Sequence, residues 1–161
     1  MVSAVADDID DAPDGFQQLR AMLAGDLRAP MGEKLGFTLV EVERGHVVFE
    51  GTPDRSVYNP LGSVHGGYAA TLLDSACGIA VHSGLGPNRG HTTLELKVSY
   101  LRGLSDRSGA VRAVGRAISV GRRVAFAEAT LHDGEGRLCA TATSTLLVFD
   151  VEPRERGVLQ P

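Results

Sequence analysis

The sequence lacks several features that mark common classes of protein. It contains two cysteines, Cys77 and Cys139, each within an apolar segment, so neither a disulfide framework nor a metal cluster is indicated. No hydrophobic run is long enough to span a membrane, and the N-terminus has neither the basic region nor the apolar core of a signal peptide. We therefore expect a soluble cytoplasmic protein that binds no metal and contacts no membrane.

An excess of positive charge is also absent. The 20 acidic and 16 basic residues give a net charge of −4, and five of the acidic residues lie within the first 14 positions. Without those five aspartates the net charge would be +1, so the rest of the chain is nearly neutral and carries no basic stripe. We therefore expect no nucleic-acid partner.

Length and composition predict a single domain. A chain of 161 residues that is 43% hydrophobic can bury one core of ordinary size. The acidic residues 1–15 predict a disordered leader, and the charged residues 151–161 predict a flexible tail. The folded domain is expected between them, over residues 16–150.

The most informative segment is a long apolar helix predicted from Gly66 to about His82. It is rich in alanine and leucine and apolar nearly all round, which is typical of a buried helix. Asp74 is the only formal charge between Arg55 and Arg89, and a carboxylate in such a helix is costly to bury unless it has a chemical role. The polar or small positions of the helix form one stripe: Thr71, Asp74, Ser75, Gly78 and His82.

Strand-like segments flank this helix. A short helix over residues 16–25 comes first, and the predicted strands are residues 37–43, 46–52, 93–101, 110–120, 123–132 and 138–149. In residues 93–101 the alternation places Leu94, Leu96, Val98 and Tyr100 on one face. Consecutive strands joined by short turns pair antiparallel. We therefore expect an α+β fold in which five or six antiparallel strands wrap around one buried helix.

Two motifs carry a resemblance to a known family. The first is Asn59-x5-His65-Gly66-Gly67-x6-Asp74-x3-Gly78, and the second is the run from Thr92 to Arg102. With the predicted layout, they resemble the hotdog-fold acyl-CoA thioesterases, in particular the branch that includes the phenylacetate-pathway and 4-hydroxybenzoyl-CoA thioesterases. The resemblance covers residues 31–149. It implies a hotdog fold and hydrolysis of acyl-CoA by homodimers that often pair into tetramers, without a cofactor, since coenzyme A is part of the substrate.

The resemblance also implies a role for each matched residue. The backbone N–H of Gly66 would bind the thioester carbonyl oxygen, and the side chain of Asn59 would add a contact nearby. Asp74 would be the general base or the nucleophile. Thr93 matches a hydroxyl position that helps to hold the attacking water, and Thr92 is its alternative if the preceding loop shifts the register.

His65 and three arginines are supporting candidates. His65 could act as a general base, but we interpret it as a residue whose ring holds the turn before the helix. The phosphates of coenzyme A need cationic partners, and the candidates at strand ends and turns are Arg102, Arg122 and Arg123.

The spacing of Gly66 and Asp74 bears on the oligomeric state. Eight residues on one helix correspond to a rise of roughly 12 Å, whereas both groups must come within about 3 Å of the same acyl group. Two antiparallel helices in a two-fold dimer could bring Gly66 of one subunit opposite Asp74 of the other. We therefore predict that the site requires a homodimer.

Two other functions are compatible with the same fold. An enoyl-CoA hydratase or dehydratase would use a histidine and a carboxylate, a pair that His65 and Asp74 imitate loosely. A non-catalytic acyl-CoA-binding module would normally need an output domain, for which the pattern offers no candidate. Within the thioesterase hypothesis, activation of water and direct attack to form an anhydride both use Asp74.

Overall fold

The computed structural model describes residues 12–152. Its helices and strands are α1 (Gly15–Ala24), α2 (Pro30–Leu35), β1 (Phe37–Glu43), β2 (His46–Gly51), α3 (Gly66–His82), β3 (Arg89–Tyr100), β4 (Val111–Val120), β5 (Val124–His132) and β6 (Leu138–Asp150). No helix in this part of the chain has the length and apolar character needed to cross a membrane. The predicted leader and tail lie mostly outside the described residues.

The six strands form one antiparallel sheet in the order β1-β2-β4-β5-β6-β3. Helix α3 lies across its inner face and contacts five of the strands, β2 to β6. This arrangement confirms the predicted α+β hotdog fold, with six strands rather than five. The predicted strands and the long helix match the observed ones to within a few residues, except that β3 begins earlier, at Arg89.

Small residues allow α3 to lie close to the sheet. A Cβ atom built at Gly115 on β4 would lie 2.1 Å from the carbonyl oxygen of Ala76, so the helix backbone occupies the space of a side chain there. Ala113 on the same strand is buried as well, and so are Ala127 and Ala129 on the neighbouring β5. The close approach fixes the position of α3, and with it the position of Asp74.

The two N-terminal helices cover one end of the sheet. Helix α1 begins with a capping box in which Asp14 Oδ1 accepts from Gln17 N at 2.8 Å and Asp14 N donates to Gln17 Oε1 at 2.9 Å. Asp14 was assigned to the leader in the sequence analysis. Helix α2 was not predicted, because its six residues are too few to show a helical period. It begins with Pro30 and ends at Leu35, and the following Gly36 has the left-handed backbone conformation.

A β-bulge changes which side chains of β3 face the helix. The register with β6 shifts between Thr93 and Glu95, so Leu94 is the bulged residue that has no partner on β6. Its side chain is 59% exposed, whereas Leu96 and Val98 pack against the core. The prediction that Leu94 shares a face with Leu96 and Val98 is therefore wrong, because a bulge interrupts the alternation. Ahead of the bulge, the residue that points towards α3 is Thr93.

Candidate active site

Asp74 and Thr93 meet at the middle of α3. The hydroxyl Oγ1 of Thr93 donates a hydrogen bond to Asp74 Oδ1 at 3.0 Å. Both residues are half-buried, whereas Thr92 is exposed on the other side of the strand. The structure therefore brings Thr93, and not the alternative Thr92, to the carboxylate.

Asp74 and Thr93 lie in the wall of a cavity of about 230 Å³. The lining also includes the polar residues Arg28, Thr38, Ser75 and His91, and much of the remaining wall is apolar: Leu19, Met22, Phe37, Leu39, Phe49 and Ile79. Pockets for drug-sized ligands typically have roughly 300–1,000 Å³. The cavity therefore suits a compact apolar group next to a carboxylate. The contribution of α1 and α2 to this wall could not be predicted, because nothing local in their sequence indicates what they cover.

Gly66 is the first residue of α3, and its N–H makes no hydrogen bond with another residue of the range 12–152. The next two N–H groups are paired: Gly67 N donates to His65 Nδ1 at 2.8 Å, and Tyr68 N donates to His65 O at 2.9 Å. The free N–H of Gly66 lies at the positive end of the helix dipole, where an anionic oxygen is stabilised.

The side chains of Asn59 and His65 are used by the loop before α3. Asn59 Oδ1 accepts from Leu61 N at 2.9 Å and from Ser63 N at 3.2 Å, and Asn59 Nδ2 donates to Ser63 Oγ at 3.1 Å. His65 is the N-cap of α3 through its bond with Gly67. In this subunit both residues shape the turn that presents Gly66.

Gly66 and Asp74 lie in different cavities of the same chain. Gly66 lines a second cavity, of about 220 Å³, together with His65, Tyr100 and Arg102. Asp74 is absent from its lining, and Gly66 is absent from the lining of the cavity that contains Asp74. One subunit therefore does not bring the two predicted reacting groups together.

The three candidate arginines are also divided between two places. Arg102 lines the cavity of Gly66. Arg122 and Arg123 lie at the turn between β4 and β5, where they line a separate hollow with Arg89. All three candidates are exposed, as a contact with phosphate requires.

Two buried groups can be excluded as nucleophiles at neutral pH. Burial raises the pKa of the Cys77 thiol to about 12, with a smaller contribution from the nearby charge of Asp74. Burial likewise raises the pKa of Tyr68 to about 12. Because the thiolate is the reactive form of cysteine, Cys77 is inert and serves packing.

His91 was not identified by the sequence analysis. It lies two residues before Thr93 and lines the same cavity. Side chains at positions i and i+2 of a strand share a face, so the selection of Thr93 already placed His91 on the side of Asp74. That signal was present in the sequence but was not used.

Comparison with known proteins places the geometry in context. The pattern of the Thioesterase superfamily matches residues 61–140. The 1,4-dihydroxy-2-naphthoyl-CoA hydrolase of Listeria monocytogenes is 28% identical over 72% of this chain and 93% of its own length. A Pseudomonas aeruginosa protein provisionally named an esterase is 32% identical over 81% of this chain and 92% of its own. A Streptococcus mutans protein whose structure was solved with acetyl-CoA bound is 27% identical in sequence. Its fold matches this one with a TM-score of 0.66, over 73% of this chain and 92% of the other.

Proposed function

The chain belongs to the thioesterase superfamily, and from this we propose that it hydrolyses an acyl-CoA or aryl-CoA thioester to a free acid and coenzyme A. The observation that carries the proposal is the hydrogen-bonded pair of Asp74 and Thr93 in the wall of a compact, largely apolar cavity. Two relatives support the substrate class: one is named a CoA thioester hydrolase, and another was solved with acetyl-CoA bound.

The site requires a homodimer under this proposal. Because Gly66 and Asp74 line different cavities of one chain, the reacting thioester would lie between Gly66 of one subunit and the partner subunit's Asp74. Two-fold symmetry then creates two equivalent sites. Pairing of two such dimers into a tetramer is part of the same proposal.

Each group has a distinct task in the reaction. The carboxylate of Asp74 removes a proton from water, which attacks the thioester carbon, and the hydroxyl of Thr93 holds the carboxylate in place. The N–H of Gly66 stabilises the negative charge that develops on the carbonyl oxygen. The tetrahedral intermediate then collapses and expels the thiolate of coenzyme A. In the covalent alternative, Asp74 attacks the carbonyl carbon itself and water hydrolyses the resulting anhydride.

The acyl group and the coenzyme A part of the substrate would lie in different places. The apolar cavity beside Asp74 would hold the acyl group, and its small volume favours a compact one. Arg102, which lines the cavity of Gly66, would contact the phosphates of coenzyme A, and Arg122 and Arg123 stay candidates for the same role. His65 supports the helix start rather than proton transfer, because its Nδ1 is occupied by Gly67 N.

Release of free thiol from acyl-CoA tests the proposal. Purified protein is incubated with phenylacetyl-CoA, benzoyl-CoA and straight-chain acyl-CoAs, and free coenzyme A is measured with a thiol-reactive dye. We expect catalytic release from at least one compact acyl-CoA. A change in enoyl-CoA absorbance without thiol release would instead support a hydratase, and tight binding without turnover would support a binding module.

The hydroxyl of Thr93 is expected to contribute to the rate. In Thr93→Val the hydrogen bond to Asp74 is lost with little change in side-chain volume. We therefore expect kcat to fall by about 10-fold, which corresponds to the upper end of the usual net free energy of one hydrogen bond. Thr92→Val is the matched control, since Thr92 points away from Asp74, and its kcat should stay within about 2-fold of that of the native protein. If Thr92→Val lost more activity than Thr93→Val, the assignment of Thr93 would be wrong.

A further inference from the structure

Tyr100 has no part in the mechanism above, although its side chain touches the residue that supplies the oxyanion donor. Its hydroxyl donates a hydrogen bond to Gly66 O at 2.8 Å. A Cβ atom built at Gly66 would lie 3.2 Å from both the Cζ and the hydroxyl oxygen of this ring, so the ring packs directly beside the Gly66 backbone. Both residues line the cavity of about 220 Å³. The side chain of Tyr100 therefore joins the end of β3 to the start of α3.

The end of β3 is a fixed point from which the ring can act. Tyr100 is the last residue of this strand and lies in the ladder with β6. Directly after it, the N–H groups of Leu101 and Arg102 both donate to Cys139 O, at 2.8 and 3.0 Å. The backbone of Tyr100 is therefore held by the sheet, whereas its side chain, which is 56% exposed, reaches out to Gly66.

Gly66 benefits from such a contact because of its residue type and its position. Glycine has more backbone freedom than any other residue, and the N–H of the first residue of a helix has no partner within the helix. On the preceding peptide, the carbonyl oxygen of His65 accepts from Tyr68 N at 2.9 Å. On the following peptide, the carbonyl oxygen of Gly66 accepts from Tyr100. Both peptide units that flank the Gly66 Cα are therefore held, which fixes the direction of its N–H.

We propose that Tyr100 is a positioning residue, whose hydroxyl holds Gly66 so that its N–H points at the oxygen on which negative charge develops. A donor that is already oriented stabilises this charge without reorganisation during the reaction. On this basis β3 supports both halves of the site, since Thr93 holds the carboxylate of Asp74 and Tyr100 holds the N–H of Gly66. This inference rests on the proposed thioesterase function and concerns the same site.

Tyr100→Phe tests the proposal, because it removes the hydroxyl and keeps the ring that lines the cavity. We expect kcat to fall by about 3-fold to 10-fold, the size of one net hydrogen bond, and KM to stay within about 2-fold of the native value. A rise in KM with unchanged kcat would mean that Tyr100 binds the substrate, and would overturn the positioning role. Circular dichroism checks that the variant is folded, as expected for a side chain that is more than half exposed.

Tyr68→Phe is the matched control. It also removes a phenol hydroxyl, here from the first turn of α3, but this hydroxyl has no hydrogen-bond partner within residues 12–152. Its kcat should stay within about 2-fold of that of the native protein. An equal loss of kcat in Tyr68→Phe and Tyr100→Phe would show that the hydrogen bond to Gly66 is not responsible, and would overturn the proposal.

A double-mutant cycle identifies the group through which Tyr100 acts. Gly66→Pro already removes the N–H, so adding Tyr100→Phe to it should lower kcat by no more than about 2-fold. A further loss as large as the one that Tyr100→Phe causes in the native protein would overturn the proposal, because Tyr100 would then act independently of that N–H.

Nitrogen-15 relaxation measured by NMR separates this inference from the proposed function, because it needs no turnover. Rigid backbone N–H groups have order parameters of about 0.85, and flexible ones fall below about 0.6. We expect the N–H of Gly66 to be rigid in the native protein and in Tyr68→Phe, and to have a lower order parameter in Tyr100→Phe. If the native protein released thiol from no acyl-CoA, the proposed function would fail, but this loss of order would still support the role of Tyr100. An unchanged order parameter at Gly66 in Tyr100→Phe would overturn that role.

Discussion

Replacing Asp74 with asparagine is expected to lower kcat by about 100-fold to 10,000-fold, the range typical for loss of a general acid or base. The amide has nearly the shape of the carboxylate, and its oxygen can still accept the hydrogen bond from Thr93 Oγ1. It can neither take a proton from water nor attack the thioester, so both mechanisms fail. Binding of acyl-CoA should change little, because the amide keeps the shape of the cavity wall and Arg102 is untouched.

Steady-state thiol release gives kcat, and calorimetry gives the dissociation constant of an unreacted acyl-CoA. Glu43→Gln is a suitable control: it also removes one carboxylate, but Glu43 is exposed at the end of β1 and lines neither cavity. Full activity of Asp74→Asn would refute the assignment of Asp74. A large loss of binding would mean that the residue holds the substrate rather than reacting with it.

Replacing Gly66 with proline is expected to lower kcat by about 100-fold to 1,000-fold, the usual effect of removing one oxyanion donor. Proline deletes the N–H that the mechanism uses, and it is well suited to the first position of a helix. The preceding residue, His65, has φ −62° and ψ 135°, an extended conformation that proline tolerates after it. No hydrogen bond within residues 12–152 is lost, since the N–H of Gly66 makes none there.

Gly66→Ala is the matched control for this experiment. Both substitutions add a Cβ atom about 3.2 Å from the ring of Tyr100, which must shift slightly, but only proline removes the N–H. We therefore expect alanine to keep most of the activity. Similar losses in both variants would show that crowding of Tyr100, and not the missing donor, is responsible.

The same two variants test whether the site is shared between subunits. When Asp74→Asn and Gly66→Pro chains are mixed and allowed to exchange, half of the dimers should be mixed, and each mixed dimer has one site with both groups intact. The mixture should regain about a quarter of the native activity. No recovery after verified exchange, or an active monomer in light scattering, would contradict the shared site.

The sequence determined the elements that depend on local pattern. The apolar run from Gly66 to His82 could form only a buried helix, and the alternating segments could form only antiparallel strands, because periodicity and turn chemistry act over a few neighbouring residues. Helical geometry predicted that Gly66 and Asp74 of one chain lie too far apart to act on the same acyl group. In the structure they line separate cavities. The motif around the helix start was sufficient to indicate the family.

Only the tertiary structure decided what lies around Asp74. The bulge at Leu94 put Thr93 on the same face of β3 as Leu96 and Val98, and a bulge depends on pairing with a distant strand. Helix α2 could not be predicted because it is short. The cavity wall formed by α1 and α2 depends on packing between segments about 50 residues apart in sequence. Contacts of that kind arise from burial of apolar surface, which is not directional, so no local pattern of residues specifies which surfaces meet.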